Sequence, residues 1–329
     1  MSQGLIGVAL PQSFSKKKFV RLAGIFGFFS GMFPDFDIFI RSSEDPLLFL
    51  EFHRQFTHSL IFIPLGGLVC SVLFFLILGR RQNCSFRQTY FYCSLGYGTH
   101  ALLDACTSYG TLLFWPFSYE RISWNNISII DPLFTIPIFI FLFIAFLKKK
   151  RKFSRIALAW AILYLALGIF FRNAAIDMGK DIATRRGHFL VQVQAKPSIG
   201  NIFLWKTIYE NSGKYYVDAV RTGPYPKIFL GESIAKLNLK SSFLWLKNNS
   251  QQSKDIDRFR WFSNGYLAQD KKNKNRIIDV RYSMIPNRIE PLWSIELSKS
   301  ADFNAHVSYK RSRSLSRKRI KLFLEMLWG

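Results

Sequence analysis

Acidic residues are scarce in this chain of 329 residues: 21 Asp and Glu stand against 45 Lys and Arg, for a formal net charge of +24. That excess calls for an anionic partner, lipid head groups or nucleic acid, and does not separate the two by itself. Cysteine is scarce too. Cys70, Cys84, Cys93 and Cys106 have no paired CxxC spacing, which argues against a disulfide framework and against a thiolate metal site. No small-x-small cleavage site follows the basic segment of Lys16, Lys17, Lys18 and Arg21, so the apolar run after it reads as an uncleaved helix. No internal repeat of the kind that builds many transporters is visible. Histidine is sparse, with five in all, and three of them (His53, His58 and His100) fall within 48 residues.

Apolar residues are abundant, 49% of the chain with 17% aromatic, and they are unevenly spread. Up to Phe171, runs of Phe, Leu and Ile alternate with short basic clusters; from Arg172 onward apolar and polar residues mix. The expected architecture is a membrane α-helical bundle of about five spans over residues 1–171, a mostly β, antiparallel soluble domain over 172–308, and a basic amphipathic tail over 309–329. The expected spans are residues 22–40, which at about 1.5 Å per residue cover roughly one bilayer, 59–79, the clearest, 91–109, weaker for its His100 and Asp104, 132–147, a short one, and 156–171. With Arg80, Arg81 and Arg87 in one loop and Lys148 to Lys152 in another, five crossings put both basic loops and the N-terminus in the cytoplasm. The loops at 41–58 and 110–131 and the soluble domain then face outward.

Three stretches, PDFD at residues 34–37, HRQFTHS at 53–59 and HALLD at 100–104, hold ionisable groups in or beside apolar runs, where they cost free energy unless something binds them. His100 and Asp104 are four apart, which places them on one helical face, about 5 to 6 Å apart at Cβ, able to share one ion. An interhelical hydrogen bond is the ordinary alternative. Asp35 and Asp37 in a turn or extended segment can be brought toward one centre, or can simply cap a helix end. His53 and His58 diverge by roughly 140° on a continuous helix and so should straddle a helix start, fixing His58. Arg54 either snorkels to a head group or binds a phosphate or carboxylate. If the third span begins near Phe91, His100 lies about 15 Å along it, near mid-bilayer, and needs a water-accessible cavity.

Taken together, PDFD, HRQFTHS and GYGTHALLDACTSYGTLLFWPFS resemble the LexA-regulated, membrane-bound metal-dependent hydrolase family (YdjM-like) of bacterial inner membranes. That family's pattern runs PDxD, HRxxTHS and sHxxlDxxTxxGxxLlwPfs. The likeness covers residues 1–171 and extends into FLWKTIYE (203–210), RFRWFSNGY (258–266) and DVRYSMIP (279–286), similar to a longer subgroup with a C-terminal soluble domain. The resemblance implies a multi-pass inner-membrane protein whose metal ligands are Asp35, Asp37, His53, His58, His100 and Asp104. Nitrogen and oxygen donors suit zinc first, with manganese or iron as alternatives. It implies a hydrolase in which metal-activated water attacks a phosphoester or other lipid-borne bond, with Asp37 as general base and Arg54 or Arg121 neutralising the oxyanion. Many members carry Thr-His near the start where this chain has Ser2-Gln3, so one possible ligand is absent.

Trp115, Pro116, Phe117 and Tyr119 after the third span are expected in an interfacial belt. Asp131 before Pro132 is expected to cap a helix, although in the family pattern an acid there can approach the site. Strands are expected at 188–195, 214–220, 276–284 and 292–297, with His188 and His306 structural. In the tail, a basic run ahead of an apolar, Trp-bearing end fits a helix lying on an anionic membrane. Membrane lipids are therefore the expected partner, in preference to nucleic acid, and the substrate is expected to be lipid-linked or membrane-proximal. A transporter using intramembrane His and Asp, or a non-catalytic lipid-binding scaffold, remain the alternatives to an enzyme.

Overall fold

The N-terminal half of the chain is helical, with α1 (Ser2–Phe14), α2 (Val20–Met32), α3 (Leu48–Phe52), α4 (Ile63–Phe74), α5 (Phe86–Cys106), α6 (Pro132–Lys148) and α7 (Arg151–Arg185) in order. The computed structural model describes residues 2–189, 191–312 and 316–329. By its internal contacts the chain falls into two units that interleave in sequence. One holds Met1–Phe39, Phe52–Ile169 and Ile199–Asn201; the other holds Ile40–Glu51, Phe170–Ser198 and Ile202–Gly329.

Three stretches are helical, long and apolar enough to cross a membrane: Lys17–Phe39, Leu60–Gly79 and Arg151–Arg185. The expected five crossings are therefore not all matched among the described residues. α6 is apolar but only 17 residues long. α5 has the length, 21 residues, but its buried residues include Thr89, Thr99, His100 and Asp104, and polarity turned inward lowers its hydropathy. A capping box of Ser85 and Gln88 starts α5 at Phe86, earlier than expected. His100 is therefore six residues, about 9 Å, from the helix's C-terminal end rather than halfway along it.

The helix α1 was not among the expected elements. At 13 residues it is about 20 Å long, too short to span a bilayer by itself. It packs on α2 and α5 through glycine: a Cβ on Gly7 would meet the Gly27 carbonyl oxygen at 2.4 Å, and one on Gly27 would meet that of Gly7 at 2.0 Å. Small residues at a crossing let two backbones touch, which is how helices associate where lipid removes the usual hydrophobic drive. Beside this contact Leu22, Ala23 and Phe26 of α2 pack with Cys70 of α4 and Cys93 and Tyr97 of α5. All four cysteines are free and buried.

α7 runs for 35 residues, about 52 Å, because nothing at Arg172 stops it. The apolar run ends there and an amphipathic continuation begins, with Ile176 and Ala183 packed on Val193 and Tyr209. Gly187, at φ 76, ends it with the His188 N–H donating to the Ala183 carbonyl, a left-handed C-terminal turn suited to glycine.

The second unit is built on two antiparallel sheets of four strands each, both in sequence order. One comprises β1 (Gln194–Pro197), β2 (Leu204–Asn211), β3 (Lys214–Arg221) and β4 (Lys227–Ala235); the other comprises β5 (Leu267–Gln269), β6 (Arg276–Asp279), β7 (Trp293–Glu296) and β8 (Ser308–Arg311). Leu190, within the expected first strand, and residues 313–315, within the expected tail, lie outside the described residues. Helices α8 (Leu239–Ser242), α9 (Gln251–Phe262) and α10 (Arg317–Trp328) complete the unit. Ile208, Val217 and Ile234 of the first sheet pack with Ala268 and Ile278 of the second. The excursion at residues 40–51 belongs here as well: Arg258 of α9 pairs with Asp45, Glu51 and Asp255, and Phe49 lies between Tyr309 and the Arg311 guanidinium.

Two lysines face each other inside this unit. Lys196 and Lys206 are register partners, each under 5% exposed, and the Lys206 Nζ donates to Ser283 Oγ at 2.8 Å and to the Arg288 carbonyl at 3.1 Å. Burial pushes both amines down to about 7, whereas an unfolded lysine keeps its proton to about 10.4. Below about pH 7 the folded unit must carry both charges, so their destabilising contribution is complete there; it fades as pH rises toward the unfolded value, and stability rises with it. Thermal unfolding of the second unit, followed in the full chain, should move upward between pH 7 and 9, with Lys206→Met flattening the slope. The same slope in that variant would count against this reading.

Candidate metal centre

Four side chains from three segments meet in the first unit. α2 ends at Met32, and Pro34, which has no N–H to donate, sits in the 3-10 turn Phe33–Phe39 that follows. At three residues per turn, side chains two apart point about 120° from each other. Asp35 and Asp37 therefore diverge and stand on either side of His58, with Asp35 Oδ1 3.7 Å from His58 Nε2 and Asp37 Oδ2 3.2 Å from His58 Nδ1. His58 closes the short 3-10 turn Phe56–His58 and is fully buried. From α5, His100 and Asp104 present Nε2 and Oδ2 at 3.4 Å from each other, one helical turn apart.

The donor atoms of Asp35, His58, His100 and Asp104 all lie within 4.8 Å of one another. The hydrogen bonds around them indicate what they lack. The Gly31 carbonyl, a pure acceptor, lies 2.6 Å from His100 Nδ1, so that nitrogen carries the proton and Nε2 keeps its lone pair in the neutral ring. His58 is placed alike, with Thr57 Oγ1 at 3.0 Å from Nδ1 and Asp37 on the same side. The two Nε2 atoms then face each other at 3.0 Å. Asp104 Oδ1 accepts from Gln3 Nε2 at 2.9 Å, while its buried Oδ2 has no hydrogen-bond partner, although it lies 3.3 Å from His58 Nε2 and 3.0 Å from Arg54 Nε. Two imidazole lone pairs and carboxylate oxygens converging on one buried point fit a cation, and outer partners of this kind are what fix ring orientation in metal sites. This buried Asp/His/His/Asp group could hold a metal ion.

Asp37 and His53 stand one layer further out. Asp37 Oδ1 pairs with His53 Nδ1 at 2.7 Å, and Oδ2 accepts from the Arg54 N–H at 2.8 Å and from Thr57 Oγ1 at 2.9 Å. Arg54 takes a left-handed φ of 66, a conformation a non-glycine residue holds only when its surroundings impose it. Its own carbonyl accepts from Leu112 N. Its guanidinium lies over the Tyr109 ring at 4.8 Å and donates to Thr107 Oγ1 at 3.2 Å, and Arg121 covers the same ring at 5.2 Å.

Asp131 is a helix cap. It accepts from the N–H groups of Leu133 and Phe134 and from the Tyr164 hydroxyl. His188 contacts Tyr209 Oη and His306 contacts Asp255, both within the second unit. Nothing in the sequence around Gly31 or Tyr109 signals a partner of the cluster. Gln3 stands where many family members have a possible ligand, and it spans the gap as a hydrogen-bond donor to Asp104.

Helices apolar enough to cross a bilayer, set with a buried Asp/His/His/Asp group, define a membrane protein with a candidate metal centre. The chain belongs to the YdjM inner membrane protein family, whose model matches residues 1–175. No curated protein and no solved structure matches it.

Proposed function

We propose that the chain is an integral inner-membrane, metal-dependent hydrolase acting on a phosphoester or other lipid-borne bond, with zinc as the ion that suits its donors best. The observation that carries this reading is the pair of inward-facing Nε2 atoms beside the buried Asp104 Oδ2, which is ion-paired with Arg54 but accepts no hydrogen bond. Bound there, a divalent ion supplies a Lewis acid and brings water to the pKa range of about 7. Asp35, His58, His100 and Asp104 would hold the ion. Asp35, with a third of its side chain exposed, leaves one side of the cluster reachable.

Arg54 balances the Asp104 carboxylate and offers its remaining N–H groups to an anionic oxygen of the substrate; Arg121, stacked on the same Tyr109 ring, adds a second cation. Asp37 is already saturated with donors, so it acts through its neighbours. It orients His58 and holds the His53 Nδ1 proton, leaving His53, whose side chain is 18% exposed, to give or take a proton at Nε2.

The test is turnover of a chromogenic phosphodiester and of a lipid phosphomonoester by detergent-purified protein. Activity should vanish with a chelator and return with zinc. Arg54→Met should lower kcat/KM by about 10²-fold or more with the metal content retained. Metal-loaded protein inert toward both substrates would overturn the reading.

A further inference from the structure

The C-terminal helix α10 presents two apolar stripes where one suffices to hold it. Leu322, Phe323 and Met326 pack against Leu204, Ala219 and Ile285 of the second unit. A second stripe, Ile320, Leu324 and Trp328 at i, i+4 and i+8, is 42%, 46% and 75% exposed. It lines a groove edged by Arg317, by Lys321 and by Glu325, whose carboxylate lies 3.9 Å from the Lys321 amine. The usual reading of a basic amphipathic tail gives it one apolar face; here that face is taken up by the fold and another is left over.

The stripe is held in a fixed place. Arg221 of β3 donates from Nε to the Tyr225 carbonyl at 3.0 Å and from Nη1 to the Leu327 carbonyl at 3.3 Å, a cation at the helix's negative end. One groove joins Trp328 to Pro224 and Tyr225, and a further one joins Pro224 to Phe170, Phe171 and Met178 of α7. Tyr225 is 78% and Phe170 66% exposed. Phe170 and Phe171 are the last residues of the uncharged run 156–171, and Arg172 follows. The apolar trail therefore runs from the end of the uncharged stretch of α7 to Trp328.

We propose that this face docks on the membrane surface. Ile320, Leu324, Trp328 and Tyr225 sit among the head groups, and Arg317, Lys318 and Lys321 lie beside the phosphates of an anionic leaflet. Trp and Tyr favour that interface, and basic residues flanking an apolar stripe favour anionic lipid. The charge balance of the region selects this occupant over a second copy: from Arg172 on, 29 Lys and Arg stand against 13 Asp and Glu, so two such surfaces repel. Attachment through α7 keeps the leaflet within reach and raises its effective concentration.

The experiment uses the full chain with Leu324→Cys carrying an environment-sensitive fluorophore, corrected for labelling of the unsubstituted protein, whose four cysteines are buried. A label at the exposed position 254 of α9, as Lys254→Cys, is the control. In vesicles containing phosphatidylglycerol the label at 324 should shift to the blue and be quenched by lipids brominated high in the acyl chain. Both effects should shrink in pure phosphatidylcholine and in the Arg317→Ser, Lys318→Ser background, while the control stays water-exposed. A label at 324 open to iodide in both vesicles would overturn the proposal. So would a blue shift in detergent that grows with protein concentration, since that signals a second copy on the stripe.

Discussion

His100→Ala with Asp104→Ala should strip the centre of its ion. Elemental analysis of the detergent-purified chain is expected to give about one first-row divalent ion per molecule, and the double variant less than about a tenth of that. Two of the four donors come from these residues, and the other two cannot close a site alone. Asp104 also faces Arg54 at 3.0 Å and takes the Gln3 amide, so alanine there leaves a buried guanidinium uncompensated, a defect that costs about 3 to 5 kcal/mol. His100→Ala alone separates the two effects. It removes one imidazole donor and leaves the Asp104–Arg54 ion pair and the Gln3 hydrogen bond in place, so the fold should survive and the ion should still be lost. Metal content equal to that of the unsubstituted protein in both variants would remove the centre.

How far the site could be read beforehand depended on which backbone period carried each motif. His100 and Asp104 lie on a regular α-helix, so a spacing of four already placed them together. Asp35 and Asp37 sit in a 3-10 turn, whose period sends them to opposite sides of His58; a sequence pattern of alternating acids does not reveal that. His58 is fixed at the end of a short 3-10 turn, while His53 stands outside the donor group, bonded to Asp37 and edge-on to the His58 ring.

The fold was legible where its apolar pattern is simple. The change of character near Arg172 is visible, but α7 carries on past it as one helix because Ala174, Ala175, Ile176 and Met178 sustain helical packing on the far side. β2 escaped because both of its faces are covered: Tyr209 packs under α7 and Ile208 packs toward the other sheet, with Lys206 buried between, so no alternation shows. Membership of residues 40–51 in the second unit rests on Arg258 reaching Asp45 and Glu51, more than 200 residues away in sequence. α1 was hidden for another reason: its buried face mixes Gly4 and Gly7 with Gln3, Gln12 and Ser13, so no apolar period marks it.

The contact between Gly7 and Gly27 carries the other large expected effect. Gly27→Ala adds one methyl group, and in an ordinary helix it would stabilise by about 1 kcal/mol. Here the new Cβ would stand 2.0 Å from the Gly7 carbonyl oxygen, a backbone atom that moves only if α1 moves. Shifting α1 carries Gln3 away from Asp104, and shifting α2 carries the Gly31 carbonyl away from His100, so the substitution reaches the metal centre without touching it. Destabilisation of about 3 kcal/mol or more is expected, in the range reserved for overpacking against a part that cannot yield, together with a loss of bound ion. Gly98→Ala on α5 is the matched control: its Cβ would meet only Ile63 side-chain carbons at 3.5 Å, ordinary contact, so helix propensity should win and the melting temperature should hold or rise. Opposite signs for the same chemical change, read by thermal unfolding of the full chain in detergent, would tie the centre's integrity to the α1–α2 backbone contact. Equal, small effects at both positions would separate them.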